Sequence, residues 1–298
     1  MVDKKSDLNS ISVVTCSMNR EQHLLENIKY IKKLSNITEH IVVDYSSLQE
    51  VSKKINDTKI KIFRIDNEII WWHNKAYNSA FHLANSKYIL KIDADVLIDF
   101  KKFNKIEYKK YDLIIFYNNE NDPGNFLITK DLLSSINGFN EYMWQWGWQD
   151  HDIISRAIKS SKNIRFLKVY NAISKIDHDN AERNKILVNK IYKRPDHFYY
   201  SYMKATNDTN VFLASKNLWS SKNILNYDII DNKLYIKHNY DIKNLNFILK
   251  LQYKWKICYS FSVVYKSKTK FIKRLLALSL FLTPKYLLLK YFSIKLYI

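Results

Sequence analysis

Through the first two thirds of the chain, short apolar runs alternate with stretches whose apolar positions recur every three or four residues. Ile11-Ser-Val-Val-Thr15, Ile41-Val-Val-Asp44, Lys59-Ile-Lys-Ile-Phe-Arg-Ile65 and Tyr88-Ile-Leu-Lys-Ile92 read as strands. Between them Leu24, Leu25, Ile28 and Ile31 share one helix face, and Ala76, Ala80, Phe81 and Ala84 share another. Residues 113–117, 125–129 and 164–170 predict further strands, and 130–136 a short helix. Ile153, Ile154, Ala157 and Ile158 predict a helix that starts near Asp150, and Asn184, Leu187, Val188 and Ile191 one more. Strands alternating with helices predict an α/β fold: a Rossmann-like, mostly parallel central sheet flanked by helices. Ligands of such sheets bind beyond the carboxyl ends of the strands.

The run from Tyr88 delivers Asp93 and Asp95 at such an end. In extended chain residues i and i+2 point to the same side. Two carboxylates that close raise each other's pKa unless a cation sits beside them. An Asp-Ala-Asp after an apolar strand therefore suggests a hard divalent metal carrying phosphate oxygens, against the plainer reading of a solvated turn. A second feature is the segment 137–152, which holds Trp144, Trp146 and Trp148 together with Asp150 and Asp152. Indole faces stack on the C–H surface of a sugar while carboxylates take its hydroxyls; the alternative is a buried aromatic plug. Asp150 falls at a helix start, where the macrodipole favours a carboxylate. His178 lies among acids, where a surface or structural role competes with metal ligation.

Composition narrows the picture. The 298 residues can bury a full core, and 47% are hydrophobic, as in a globular protein. Gly124, Gly138 and Gly147 are the only three glycines, and their clustering implies special backbone geometry or close approach to a ligand there. Cys16 and Cys258 offer no disulfide framework or zinc spacing, and the opening residues show no cationic-then-apolar signal. The expected location is the cytoplasm. The formal net charge is +19, and residues 237–298 hold 13 Lys or Arg against one acid, Asp241. That composition shift separates a catalytic domain, 1–200, from a basic, aromatic extension, 201–298. The extension could lie on an anionic membrane surface, pack on the catalytic domain or contact nucleic acid. Docking on a membrane would make the protein peripheral on the inner face of the cytoplasmic membrane. The nine-residue apolar stretch 275–283, stopped by Pro284, is too short to span a bilayer, which takes about 18 or more.

Taken in order, these segments resemble the GT-A-fold inverting glycosyltransferases of the family 2 type over roughly residues 11–185. The later motif is similar to that of β-1,4-galactosyltransferases and bacterial chondroitin-type polymerases. Thr15-Cys-Ser-Met-Asn-Arg-Glu-Gln-His-Leu24 matches the family's nucleotide-holding turn, with Asn19 and Arg20 in place. Asp44-Tyr-Ser-Ser stands at the strand end that contacts uracil, and Asp93-Ala94-Asp95 matches the family Asp-x-Asp. Ala76-Tyr-Asn78-Ser-Ala80 stands for Ala-Arg-Asn-x-Gly, with Lys75 as the nearest cation. The resemblance thus implies donor binding by Asn19, Arg20, Asp44, Lys75, Asn78, Asp93, Ala94 and Asp95.

Gly124-Asn-Phe-Leu-Ile and Asn137-Gly-Phe-Asn-Glu resemble the strand and turn before the family's catalytic loop. Gly147-Trp-Gln-Asp-His-Asp-Ile-Ile-Ser-Arg156 resembles the loop itself, Gln149 replacing the usual Glu. By that match Asp150 is the catalytic base, and Gly124, Trp146, Gly147, Trp148, Gln149 and Asp152 bind substrate. His178 falls where galactosyltransferases have a metal-binding His, which implies Mn²⁺ or Mg²⁺ on Asp93, Asp95 and His178. The implied donor is a UDP-sugar and the acceptor a saccharide or lipid-linked saccharide, in bacterial surface polysaccharide or glycolipid synthesis; nucleic acid is not an expected partner. One rival is a sugar nucleotidyltransferase, although no Gly precedes residue 124 to build its phosphate loop. The other is a non-catalytic basic module binding membrane or nucleic acid.

Overall fold

The computed structural model describes residues 10–55, 57–68, 71–118, 123–143, 147–177, 196–241, 244–264 and 281–282. Numbered in chain order, β1 (Ile11–Ser17), β2 (Ile37–Tyr45), β3 (Ile60–Ile65) and β4 (Tyr88–Lys91) lie parallel, in the order β3-β2-β1-β4. Two short strands, β5 (Val96–Ile98) and β9 (Ile173–Lys175), form a separate antiparallel pair. The main sheet continues with β7 (Asn125–Thr129), antiparallel to both β4 and β6 (Leu113–Tyr117), and ends on β8 (Phe166–Tyr170), parallel to β6. At its other edge the hairpin of β10 (Tyr227–Ile230) and β11 (Lys233–Ile236) joins β3 and completes nine strands.

Period-two alternation sorts the strand side chains onto two faces, and both are covered. Ile89, Ile115, Phe126 and Ile128 pack with α2 (His73–Leu83), α4 (Lys130–Ser135) and α5 (Gln149–Lys159). Leu90, Ile114, Phe116 and Leu127 pack on the opposite face with Ile31 of α1 (Glu21–Ile31) and Phe103 of α3 (Phe100–Phe103). Burial on both faces is why these strands read as continuous apolar runs. This is the α/β architecture expected from the sequence.

The chain divides into two compact units: 1–139 with 150–189 and 220–238, and 140–149 with 190–219 and 239–298. The first contains the sheet. In the second, α6 (Asp196–Ser215) packs along α7 (Phe247–Val264). Trp219 meets the ring of Tyr240 edge-on at 5.0 Å, and Tyr142 meets Tyr240 at 5.7 Å. No helix among the described residues is long and apolar enough to cross a membrane. The expected helix over 184–191, Trp144, Trp146, His178 and most of the apolar stretch 275–283 lie outside the described residues.

Candidate active site

Four residues of the sheet-bearing unit meet beyond the end of β4. Lys91, the last residue of that strand, is fully buried at 0% exposure. Its ammonium lies 2.8 Å from Asp93 Oδ1 and 3.3 Å from Asp150 Oδ1, and donates to the Gly124 carbonyl. Strand pairing explains the meeting: β7 runs antiparallel to β4 with Phe126 opposite Lys91, so Gly124 comes alongside Asp93. Asn125 Oδ1 accepts the Asp93 N–H at 2.8 Å, and Tyr77 of α2 donates its hydroxyl to Asp93 Oδ1 at 2.8 Å. A Cβ at Gly124 would stand 3.4 Å from Asp93 Oδ2 and 3.6 Å from Asp150 Oδ2. The bare glycine thus lies between the second oxygens of the two acids.

Burial by itself would lower the pKa of Lys91, but Asp150 and Asp93 more than offset it and hold the group up at about 12. Burial raises the Asp93 carboxyl above its ordinary range; Lys91 opposes the rise and Asp150 adds to it. His73, at the start of α2, is pushed down to about 4 by burial and by Lys91, so it is neutral at pH 7. Its ring lies 4.7 Å from that of Tyr77. Lys91, Tyr77 and His73 were not singled out from the sequence. The one available signal was a lysine placed inside an apolar strand.

Asp95 is ion-paired with Arg20, in the turn after β1. That turn is built by Asn19 at φ +56°, whose Oδ1 accepts from Leu48 N at 2.8 Å and whose N–H donates to Ser47 Oγ at 2.9 Å. Asn27 of α1 holds the Asp-Ala-Asp turn from below, its amide donating to the carbonyls of Asp93 and Val96. Among the described residues, Ser17 Oγ, Asn19 Nδ2 and Arg20 Nε are buried without a hydrogen-bond partner. Buried polar atoms are rarely left so, and three of them fall together in this turn. Ala94, between the two acids, is buried.

Other expected site residues have structural partners. Asp44 is buried at the end of β2; its oxygens accept from Ser47 N at 3.0 Å, Val51 N at 3.2 Å and the Arg64 guanidinium at 2.5 Å. Asn78 clasps the backbone of Phe139, donating to its carbonyl at 2.9 Å and accepting from its N–H at 2.7 Å. Lys75 places its ammonium 4.0 Å from the Trp72 ring centroid. Asp152 is bound to Arg156 at 2.8 Å, and Arg156 also reaches the carbonyls of Ile136 and Gly138. Burial raises the Asp152 carboxyl while Arg156 opposes the rise.

Gly147, Trp148 and Gln149 belong to the second unit. Gly147, at φ +102°, gives its carbonyl to Asn210 Nδ2 at 2.8 Å, and a Cβ there would clash with Asn207. Trp148 holds φ +68°, a region costly for a bulky residue, and leaves its side chain 40% exposed. Gln149 is buried. In the chain these three lead directly into Asp150.

Comparison with known proteins shows what the chain resembles. A model described as glycosyl transferase family 2 matches residues 12–131, and one described as the N-terminal domain of galactosyltransferase matches residues 105–179. Among solved structures, the catalytic domain of Drosophila β1,4-galactosyltransferase 7 in complex with xylobiose is 13% identical, with a TM-score of 0.51 over 79% of this chain and 96% of that one. A mutant of the same enzyme with manganese, UDP-Gal and xylobiose is 12% identical, at TM-score 0.50 over the same shares. Staphylococcus aureus TarS 1–349 is 15% identical, at TM-score 0.46 over 77% of this chain and 97% of that one. A search of curated sequences finds no match. The fold is that of the GT-A glycosyltransferases. The two family models fall mainly on the sheet-bearing residues, and together with the fold they support a glycosyltransferase that resembles the family 2 type over residues 12–131.

Proposed function

We propose that the protein is a metal-dependent, inverting glycosyltransferase that moves a sugar from a UDP donor to a saccharide acceptor. The observation that carries this reading is the convergence of Asp93 and Asp150 on Gly124, which joins the Asp-Ala-Asp strand end to the first turn of α5. Inversion needs a single base facing the acceptor hydroxyl, and Asp150 is the proposed acceptor of its proton. Trp148, exposed on a constrained backbone, is the proposed stacking face for the acceptor, with Trp146, Gly147 and Gln149 beside it in the chain.

Among the described residues no three His, Cys, Asp or Glu side chains cluster as a cation site, so the proposed divalent ion would draw on the strand-end acids together with a residue outside them. Asp93 and Asp95 supply hard oxygens, and each faces a cationic side chain, Lys91 and Arg20, in this structure. They are the proposed holders of Mn²⁺ or Mg²⁺ together with His178. Ile176, two residues before that histidine in sequence, donates its N–H to the Asp95 carbonyl at 2.8 Å, which supports the assignment. An imidazole ligand favours Mn²⁺. When bound, the ion neutralises charge on the departing diphosphate. Asn19, Arg20 and Lys75 would meet the donor; Asp44 and Asn78 would shape its site through the backbone of Ser47, Val51 and Phe139.

For the acceptor we favour a lipid-linked saccharide in bacterial surface polysaccharide or glycolipid synthesis, at the inner face of the cytoplasmic membrane. The support comes from α7. Phe247, Leu251 and Trp255 recur at four-residue spacing with Ile248 beside them, all exposed, Phe247 by 72% and Ile248 by 65%. Tyr253 and Cys258 are buried on the same helix. Lys250, Lys254 and Lys256 supply positive charge and this helix carries no acid to oppose them, as suits attraction to an anionic surface.

Incubating the full chain with UDP- and GDP-sugars, with Mn²⁺ or with excess EDTA, tests the reading through free nucleotide. Release of UDP only with the metal is expected. Full release in EDTA, or preference for GDP-sugars, would contradict it.

A further inference from the structure

Among the described residues Lys91 is the one lysine with no exposed surface, and it stands beneath both acids of the candidate centre. An ammonium has three protons to donate and no capacity to accept. All three have acceptors: Asp93 Oδ1 at 2.8 Å, Asp150 Oδ1 at 3.3 Å and the Gly124 carbonyl. The Tyr77 ring, its centroid 4.7 Å from Nζ, closes another side of the group. Thus each acid gives one oxygen to the lysine and turns the other toward the space that Gly124 leaves open.

We propose that Lys91 is a positioning residue for transfer: it fixes the rotation of the Asp150 carboxylate so that Oδ2, on the Gly124 side, is the oxygen presented to the acceptor hydroxyl. Two carboxylates converging on one glycine would otherwise repel and turn apart. A saturated, buried ammonium has no proton for a phosphate, so Lys91 acts through Asp150 and Asp93 and does not touch the donor. Gly124 belongs to the same device, because it keeps the space before both Oδ2 atoms open.

The proposal rests on Asp150 being the base, so the test includes that residue. Transfer by the full chain is measured at varied donor for wild type, Lys91→Met, Asp150→Asn and the double variant, with melting temperatures alongside. A misplaced base can cost about 10²-fold, and Lys91→Met is expected to lose about that much in kcat with donor KM within about threefold of wild type. The double variant is expected to match Asp150→Asn, since residues acting as one unit are not additive. Lys91→Met keeping more than about a third of wild-type kcat, or losses that multiply in the double variant, would overturn the proposal. An active Asp150→Asn would instead remove the base assignment on which it stands. Should Lys91→Met fail to fold, a crystal structure of the wild type with UDP and Mn²⁺ decides. Nζ within hydrogen-bond reach of Asp150 is expected, and Nζ turned to a phosphate would contradict it.

Discussion

Arg20 is ion-paired with Asp95, so the turn after β1 neutralises one of the two strand-end acids of β4. A guanidinium on a carboxylate competes with any metal ion for the same oxygens. The pair is partly exposed, at 18% and 16% for the two side chains, and such pairs are worth about 1 kcal/mol or less. Arg20→Gln is therefore expected to strengthen Mn²⁺ binding to the donor-free protein by up to about fivefold. It should also weaken UDP binding, because the same turn loses its cation. Calorimetric titration with Mn²⁺ and then with UDP checks both signs. Unchanged affinity for both would detach Arg20 from the site.

His40 gives the fold a pH dependence of its own. It is buried in β2, 3.0 Å from Thr15 Oγ1, and burial pushes it down to about 3. The unfolded chain binds that proton near pH 6.5, so stability is fully present above this value and falls as pH drops toward 3. The slope reaches about 1.4 kcal/mol per pH unit. Urea unfolding at pH 7, 6 and 5 should show a steeper decline in wild type than in His40→Gln. Equal slopes would mean that the histidine is charged in the folded state.

Binding of α7 to anionic membranes is open to a sedimentation assay. Replacing Leu251 and Trp255 by Glu removes apolar area and adds two charges of the wrong sign. Association with phosphatidylglycerol vesicles should fall at least about tenfold, while nucleotide release from the donor in solution persists. Raising the salt should weaken the wild type too, since the attraction decays over about 8–10 Å at ordinary ionic strength. Equal pelleting of variant and wild type would contradict the assignment.

Where the chain is buried on both sides, its pattern was legible. The runs at 11–15, 41–44, 88–92, 113–117 and 125–129 all became strands of the main sheet. The hairpin of β10 and β11 was not foreseen: Tyr227 and Leu234 are buried while Ile229 and Ile230 are exposed, so its apolar residues do not alternate cleanly. At the candidate site, the Asp-Ala-Asp turn and Asp150 at a helix start could be read from local pattern, whereas Asn19 with Arg20 came only from the family resemblance. Lys91 could not, because its acceptors Gly124 and Asp150 are 33 and 59 residues away and only strand pairing brings them together. Asp44 was visible as a strand-end acid, but Arg64 reaches it from the neighbouring strand β3, and no spacing along the chain announces that pair.

The most direct test of the account is Asp150→Asn in the full chain, with UDP affinity in the presence of Mn²⁺, melting temperature and transfer measured together. Asn keeps the shape and retains an oxygen that can accept from Lys91, but it does not take up a proton. Affinity and melting temperature close to wild type are expected, with transfer reduced by about 10² to 10⁴, the usual loss when a general base is removed. A variant that retains more than about a tenth of wild-type transfer would contradict the assignment of Asp150 as the base.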